Sequence, residues 1–422
     1  MDRNQLKWCR DRLEDFLEEL LAPIGRSERR QWGNAYVRGL LLDGERKSIE
    51  PMADRLPDGN VQAMQQFIGQ SPWDYLPIRK RLAERMGKEI VPTVAWIVDD
   101  TGFPKQGKHS VGVGRQYSGT LGKVGNCQIA TSLHLATDEV CMPLDFDLYL
   151  PKSWTDDPAR MQKAGVPAGR SFRAKWQVAL DLIDRALGWD IPGGVVVSDA
   201  FYGRTNLFRQ GLIDRELLYV TEIDSKTAVF NEPAKTRGRI GDSPSQEAKD
   251  VMSVKELAKK LPAFMWKTIK WRQGTKRRLV SRFASVRVQP AHKPAKGEKR
   301  PPRQWLLIEW SRAELEPIKY WFANLPPQTG LARLVGLAKI RWRIEQAYQQ
   351  LKEELGLDHY EGRGFLGWQH HVTMSMLAYG FLLLETLRSK KNFWVDPPGS
   401  AQDDPSADSM LDMGLSDLQP RG

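Results

Sequence analysis

Cysteine is scarce in this sequence, with three residues among 422. Cys9, Cys127 and Cys141 are widely separated, so neither a disulfide framework nor a Cys-x-x-Cys metal site is expected, and all three are predicted to be buried and reduced. Long apolar runs are also missing. The longest, residues 372–384, is shorter than the roughly 20 residues that a membrane-spanning helix needs. A membrane protein is therefore not expected.

The features of a signal peptide are missing as well. The first residues, MDRNQLKWCRDRLEDFLEEL, are charged and helix-periodic, and they contain neither a continuous apolar core nor a small-residue cleavage site. The protein is therefore predicted to stay in the cytoplasm, where it is made.

Acidic residues are outnumbered by basic ones. The chain has 63 Lys and Arg against 52 Asp and Glu, which gives a net charge of +11 and an isoelectric point near 9.4. Such an excess favours a polyanionic partner, because contacts to phosphates release counterions. Nucleic acid is the predicted partner, and an anionic membrane surface is the second candidate.

The pattern along the chain predicts an α/β protein of several domains. Residues 1–90 are helix-periodic and form a predicted DNA-binding domain, with plain helical packing as the alternative. Residues 91–220 and 315–390 are predicted to be two parts of one catalytic domain, since β-branched runs alternate with helical segments there. Residues 221–314 are predicted to be a β-rich insertion. The tail, 391–422, is rich in Pro, Gly, Ser and Asp and is expected to be disordered.

Two predicted strands end in acidic residues. The segment VPTVAWIVDD closes with Asp99 and Asp100, and GGVVVSDAFYG brings Asp199 after a second apolar run. Neighbouring strand ends in an open sheet commonly form sites. Carboxylates suit Mg²⁺ and Mn²⁺, and two such ions can activate water and neutralise the leaving oxygen in phosphodiester cleavage. Taken alone, each acid could equally be a turn residue.

A third acid, Glu345, lies on a predicted helix. Arg341 and Lys352 share its helix face by the 3.6-residue period. On such a face the carboxylate would bind an ion while the two cations hold phosphate oxygens. The alternative is a solvated stripe of ion pairs, worth about 0.3–0.5 kcal/mol per pair.

Together these segments resemble the DDE transposases of bacterial insertion sequences. The resemblance is carried by VDDTGF, VVSDAFYG and RWRIEQAYQQLKEELGLDHYEGR, between about Val94 and Arg363. The last segment matches the R-(3)-E-(6)-K part of the Y-(2)-R-(3)-E-(6)-K signature of one branch. Ala338 stands where that signature has Tyr, so a contact made by the Tyr would need Trp342 or Tyr348 instead.

The resemblance implies an RNase H-like mixed sheet flanked by helices, in which Asp100, Asp199 and Glu345 bind metal. The expected cofactor is Mg²⁺, with Mn²⁺ as a substitute and two ions per site. Periodicity does not choose between Asp99 and Asp100, because successive strand residues point to opposite faces. The acid directly before Thr matches the relatives better, so Asp100 is preferred.

DNA contacts are predicted on the Glu345 helix and in the insertion. The resemblance places Arg341 and Lys352 beside the cut. Basic and aromatic residues interleave around residues 266–283, which suits phosphate contact and stacking, although a solvated hairpin face is the alternative. Trp305 is a candidate for stacking in place of a flipped base, and a core tryptophan is an equal alternative. The predicted DNA-binding residues are Arg341, Lys352, Trp305, Arg343, Tyr348, Lys270, Arg272 and Arg277.

Two further features are given no catalytic role. The glycine-rich basic segment KQGKHSVGVGRQYSGTLGK lacks the Gly-Lys-Ser/Thr ending of a P-loop and is predicted to be a flexible loop near the site. His370 and His371 have no partner at a familiar ligand spacing and are predicted to be structural.

The resemblance implies a cut-and-paste transposase. It would cleave DNA at the terminal inverted repeats of its element, with hairpinned ends as one route, and join the 3′ hydroxyls to target DNA. A homodimer in the DNA synapse is expected, associated with the nucleoid. The first alternative is a transposase-derived DNA-binding regulator without cleavage. The second is a carboxylate-pair glycoside hydrolase, which explains neither the basic charge nor the Arg-Glu-Lys face.

Overall fold

The computed structural model of the protein describes residues 3–230, 251–273, 278–291, 302–311 and 313–395. Arg277 lies outside these ranges, and so do residues 396–422 of the predicted tail.

The N-terminal region is helical, as its periodicity predicts. Asn60 begins one of the helices by accepting a hydrogen bond from the backbone N–H of Ala63, which satisfies one of the free amides of the first turn. The apolar faces of these helices pack against one another and against the last helix among the described residues, Phe365–Val395. The helices are α1 (Arg3–Leu21), α2 (Ser27–Leu41), α3 (Ile49–Arg55), α4 (Val61–Gly69) and α5 (Leu76–Glu89), with a short 3₁₀ turn at Ala22–Ile24.

A mixed sheet forms the centre of the described structure. Its strands are β1 (Ala95–Pro104), β2 (Gly114–Ser118), β3 (Lys123–Ala136), β4 (Cys141–Leu148), β5 (Val195–Ser198), β6 (Tyr219–Ile223), β7 (Ala228–Phe230), β8 (Val251–Ser253), β9 (Lys267–Gln273), β10 (Arg278–Pro290), β11 (Gln304–Trp310) and β12 (Lys319–Ala323). They are arranged in the order β2-β3-β1-β5-β6-β12-β11-β10-β7-β8, with β4 beside β3 and β9 beside β10.

Helices flank this sheet, which gives the mixed α/β architecture that was predicted. Between the strands lie α6 (Lys152–Thr155), α7 (Pro158–Lys163), α8 (Lys175–Gly188), α9 (Ala200–Gly203), α10 (Asn206–Asp214), α11 (Val254–Lys260) and a 3₁₀ turn at Ala263–Met265. The chain then continues through α12 (Leu331–Ile340), α13 (Trp342–Glu353) and α14 (Phe365–Val395). Of the described residues, no helix is both long and apolar enough to cross a membrane.

The segment predicted to be a β-rich insertion continues the central sheet. Strand β12 pairs antiparallel with β6 and with β11, so β9, β10 and β11 continue the same sheet. The domain boundary expected between residues 220 and 221 falls inside β6. The core and the insertion therefore share hydrogen bonds across adjacent strands.

Two sequence-based expectations about the strands were wrong in extent. The first strand does not end at its two acids but continues to Pro104, because β3 is long enough to pair with it from Ala136 to Cys127. The glycine-rich basic segment is not a loop throughout, since residues 114–118 form β2 against β3. By contrast, the strand-like runs NCQIATSLHLA and EVCMPLDFDLYLP, separated by Thr137 and Asp138, predict an antiparallel hairpin after the first strand. The antiparallel pairing of β3 with β4 confirms it.

A buried ionic network joins the N-terminal helices to the sheet. Arg79 of α5 is fully buried and pairs with Asp145 of β4 at 2.9 Å. It also donates to Thr373 and Gln369 of α14. The second carboxylate oxygen of Asp145 accepts from Arg185 of α8 at 2.6 Å. Buried charges are tolerated only when they are paired and hydrogen-bonded, and this network meets that condition.

Candidate functional site

The acids of β1 lie where the parallel neighbour of that strand ends. The pairing of β1 with β5 runs as far as Val98 opposite Ser198, so Asp99 and Asp199 follow at neighbouring positions. Successive residues of a strand point to opposite faces, and Asp99 and Asp100 accordingly have different partners. The sheet thus brings the three sequence-predicted aspartates to one place.

Asp99 points toward the helix that carries Glu345. Its buried carboxylate accepts a hydrogen bond from Arg341 at 2.7 Å. Burial raises the pKa of Asp99 to about 7, and the neighbouring Asp199 adds to this, whereas Arg341 opposes it. A carboxylate with a raised pKa beside other acids is an arrangement typical of functional sites.

Asp100 is held by residues on the other face of β1. Lys175, at the start of α8, lies 2.6 Å from one carboxylate oxygen. The other oxygen accepts hydrogen bonds from the Tyr202 hydroxyl and from Thr131 of β3, the latter at 3.2 Å. Burial raises the pKa of Tyr202 well above its ordinary value, and the charge of Asp100 raises it further, so the hydroxyl stays protonated and donates.

Asp199 begins the short helix α9. Its carboxylate accepts from the backbone N–H groups of Phe201 and Tyr202 at 3.0 and 3.3 Å. Burial raises the pKa of Asp199, and Asp100 contributes in the same direction, while Arg341 and the two amides oppose it. Tyr202 therefore contacts two aspartates: its backbone amide donates to Asp199 and its hydroxyl donates to Asp100.

Glu345 lies in the first turn of α13. The helical pattern that resumes near Leu331 and carries RWRIEQAYQQLKEELGL predicts one helix, but the structure divides it at Arg341, which ends α12 and begins α13. The Arg341 guanidinium donates to Glu345 at 2.9 Å as well as to Asp99. The Glu345 side chain is 62% exposed. Arg341 therefore bridges the exposed acid and the buried acid.

The donor chemistry of this group suits a divalent cation, since all four acids offer carboxylate oxygens. Within the described ranges, however, no three His, Cys, Asp or Glu side chains converge tightly enough to hold an ion as they stand. The carboxylates of Asp99 and Glu345 share Arg341, and that of Asp100 is paired with Lys175. An incoming cation would therefore take the place of these protein cations.

The other predicted contacts on α13 have partners within the protein. Lys352 donates to the Gly102 carbonyl and to Thr120 at 2.8 and 3.0 Å, and burial lowers its pKa. The Tyr348 hydroxyl forms a 2.6 Å hydrogen bond with Ser132 of β3. Both side chains help to dock α13 on the sheet.

Arg272 and Arg343 both stack on the indole ring of Trp342. Their guanidinium carbons lie 3.8 and 4.4 Å from the ring centroid of Trp342. Burial lowers the pKa of Arg343, and the positive charge of Arg272 adds to that effect. The stack joins strand β9 of the insertion to the helix of Glu345.

Two predicted contacts lie elsewhere in the insertion. Trp305 is half-buried in β11, packs against an apolar cluster, and donates its indole N–H to Pro326 at 3.0 Å. Lys270 is exposed on β9. Arg277 is not among the described residues, so its position stays a prediction.

Sequence analysis missed the residues that hold Asp100. Lys175 lies 75 positions from Asp100 along the chain, and no local pattern marks it. Tyr202 could have been noticed, because it follows Asp199 by three residues in a segment already singled out. His370 and His371 are buried and bonded to backbone carbonyls, which agrees with the predicted structural role.

Comparison with known proteins identifies the family. The profile of the DDE superfamily endonucleases matches residues 19–278, more than half of the chain. The chain belongs to this family. The match covers Asp99, Asp100 and Asp199 and ends before Glu345.

A curated relative supports the same assignment. The chain is 29% identical over 193 residues to the probable transposase for insertion sequence element IS701 of Microchaete diplosiphon. The matched region is 44% of this chain and 47% of the relative, so the chain spans about half the length of the curated protein it matches. With this family, the central sheet is an RNase H-like core of a DDE endonuclease, and divalent metal ions are the family's general cofactor.

Proposed function

We propose that this protein is a DDE transposase. It cleaves DNA at the terminal inverted repeats of its element in a metal-dependent reaction and joins the freed 3′ hydroxyls to target DNA. The observation that carries the proposal is the acid cluster at the β1–β5 edge, in which Arg341 bridges Asp99 and Glu345 beside Asp199. Family membership supports the same chemistry.

The proposed metal ligands are Asp199, Glu345 and one acid of the β1 pair. The resemblance favours Asp100, whereas the geometry favours Asp99, because Asp99 lies on the face of Arg341 and Glu345. We assign Asp99 to the ligand set. Asp100 is then a positioning residue that holds Lys175 and Tyr202.

The cofactor is proposed to be two Mg²⁺ ions, with Mn²⁺ as a substitute. When bound, such ions activate an attacking water or hydroxyl and neutralise the leaving oxygen. Asp99, Asp199 and Glu345 would hold the ions, and Arg341 would hold a phosphate oxygen, a task that suits its forked donors.

The proposed partner is double-stranded DNA, from the element ends and from the target. The +11 charge and the guanidinium pair on Trp342 support phosphate contact. Two ends must be held together during transposition, so a homodimer on DNA is part of the proposal. Hairpinned ends and stacking by Trp305 belong to it as well, although the Trp305 indole N–H already has a partner in Pro326.

One observation favours a second candidate function. The acids are paired with Arg341 and Lys175 and do not converge among the described residues. A transposase-derived regulator that binds DNA without cutting it would be compatible with this arrangement. Such a regulator would have no use for the raised pKa of two buried aspartates, which is why we rank it second.

The test is cleavage of linear DNA that carries the element's ends, with Mg²⁺ or Mn²⁺. The wild type should cut, and Glu345→Gln should bind the same DNA without cutting it. Asp99→Asn and Asp100→Asn form a matched pair. Loss of cutting in Asp99→Asn with residual cutting in Asp100→Asn supports the assigned ligand set, and the reverse result would favour Asp100. Wild-type protein that binds the ends and never cuts would favour the regulator.

A further inference from the structure

The β2–β3 hairpin is an exposed surface that the proposed mechanism does not use. Tyr117 of β2 lies opposite Val124 of β3, so their side chains share one face. They are 63% and 51% exposed, which is unusual for an aromatic and a β-branched side chain side by side. Arg115 lies two residues before Tyr117 and thus on the same face, and it is exposed too.

The turn of this hairpin is fixed beside the acids. Lys352 of α13 donates both to Thr120 of the turn and to the carbonyl of Gly102, two residues after Asp100. A side chain would not fit at Gly102, because its Cβ would lie 2.0 Å from the hydroxyl of Ser118 at the end of β2. The exposed face of the hairpin is therefore held at a set position next to the acid cluster.

The segment that contains the hairpin, residues 101–137, has basic but no acidic side chains. Residues 101–137 contain Lys105, Lys108, Arg115 and Lys123 and no Asp or Glu. At the average of the chain, with 52 acidic residues in 422, a stretch of this length would hold about four or five. A surface without acids, next to a cluster that is rich in them, is complementary to a polyanion that reaches that cluster.

We propose that the β2–β3 hairpin binds the DNA that flanks the phosphodiester at the acid cluster. Tyr117 packs on a base or sugar with Val124 beside it, and Arg115 on the same face contacts a phosphate. Lys123 is opposite Ser118 and points to the other face, where it contacts the DNA backbone as it passes the turn of the hairpin. Cations on an edge strand also guard it against pairing with another strand, but such protection gives no reason for an exposed aromatic ring. The inference rests on the proposed function, since it requires that DNA is the substrate.

The first experiment compares aromatic substitutions by DNA binding in EDTA, where no cutting occurs. The probes are a short duplex of mixed sequence and its separate strands, followed by fluorescence anisotropy. Tyr117→Ala should weaken binding by about five-fold to about a hundred-fold, as expected for loss of a stacking platform, and Tyr117→Trp should retain it. The control is Leu315→Ala, because Leu315 is also an exposed apolar side chain, at 96%, but lies between Glu314 and Glu316, outside the predicted DNA-binding regions.

The second experiment measures the salt dependence. The double variant Arg115→Gln/Lys123→Gln should reduce the slope of log K against log salt by about 2, roughly one per lost phosphate contact. Lys163→Gln/Lys226→Gln removes the same charge from exposed positions elsewhere and should change the slope less. Thermal unfolding of each variant confirms that it is folded.

The outcomes separate this inference from the proposed function. If the wild type neither binds nor cuts DNA, the proposed function fails. If the wild type does bind, but Tyr117→Ala and Leu315→Ala have equal affinities and the two double variants have equal slopes, the hairpin inference alone is overturned.

Discussion

Replacing Arg79 by methionine tests whether the N-terminal helices and the sheet form one folding unit. Arg79 and Asp145 are both 0% exposed, and Arg79 donates to two carbonyls, one amide oxygen, one hydroxyl and one carboxylate. Breaking a buried pair from one side costs about 3–5 kcal/mol, because the remaining charge is left without compensation. Here Asp145 keeps Arg185 at 2.6 Å, so we expect about 3 kcal/mol.

The assay is urea unfolding followed by circular dichroism, with Arg85→Met as the control. Arg85 lies on the same helix and pairs with Glu19 at 2.8 Å, but it is 32% exposed. Exposed pairs contribute about 0–1 kcal/mol. Because Arg79 links α5 to β4 and α14, the wild type should unfold in one transition, and Arg79→Met should shift the midpoint or separate two transitions. A loss no larger than that of Arg85→Met would refute the reasoning.

Three further predictions concern charge and pH. Trp342→Ala removes the ring shared by Arg272 and Arg343, so DNA affinity should fall several-fold in an anisotropy titration, with Leu315→Ala at an exposed apolar position as the control. Burial lowers the pKa of His370 from 6.5 to about 4. Between these pH values the unfolded chain binds more protons than the folded protein, so the free energy of unfolding should fall as the pH drops from 6.5 to 4. This fall should be less steep in His370→Gln. The pH dependence of stability that comes from Asp99 has the opposite sign, since the pKa of Asp99 is raised from 3.8 to about 7. Its contribution to the free energy of unfolding of the metal-free protein should decline as pH rises from 3.8 to 7, and Asp99→Asn should abolish that decline; a variant difference independent of pH would contradict this.

The sequence was most informative where local patterns determine the structure. Short apolar runs rich in β-branched residues predicted the strands that carry the aspartates, and the helical period placed Arg341 and Glu345 together. The Arg341–Glu345 contact at 2.9 Å is a direct consequence of i,i+4 spacing. Local periodicity also predicted the antiparallel pairing of β3 with β4. Each of these features depends on residues that are close along the chain.

The features that the sequence did not predict depend on which surfaces meet in the tertiary structure. Whether Asp99 or Asp100 faces Glu345 is decided by the face of β1 on which α13 packs, and alternation alone cannot show that. Lys175 reaches Asp100 only because α8 crosses beside β1. The extent of β1 beyond its acids depends on the length of its partner β3. Long-range pairings of this kind leave no local pattern.

The properties of the acid cluster are better explained by a catalytic role than by a purely structural one. Burial raises the pKa of Asp99 and that of Asp199, with Asp199 adding to the first shift and Asp100 to the second, so keeping these carboxyls ionised lowers the stability of the fold. A purely structural site could replace Asp99 by asparagine and keep its hydrogen bond to Arg341. A glycoside hydrolase would also use a carboxyl with a raised pKa, but its acid and base must both face a sugar, whereas Arg341 lies between Asp99 and Glu345. Acids that repel each other and share the guanidinium of Arg341 are better suited to binding metal ions, with Arg341 available for phosphate. If the cluster serves this purpose, Asp99→Asn should raise the stability of the metal-free protein at neutral pH while it abolishes cutting.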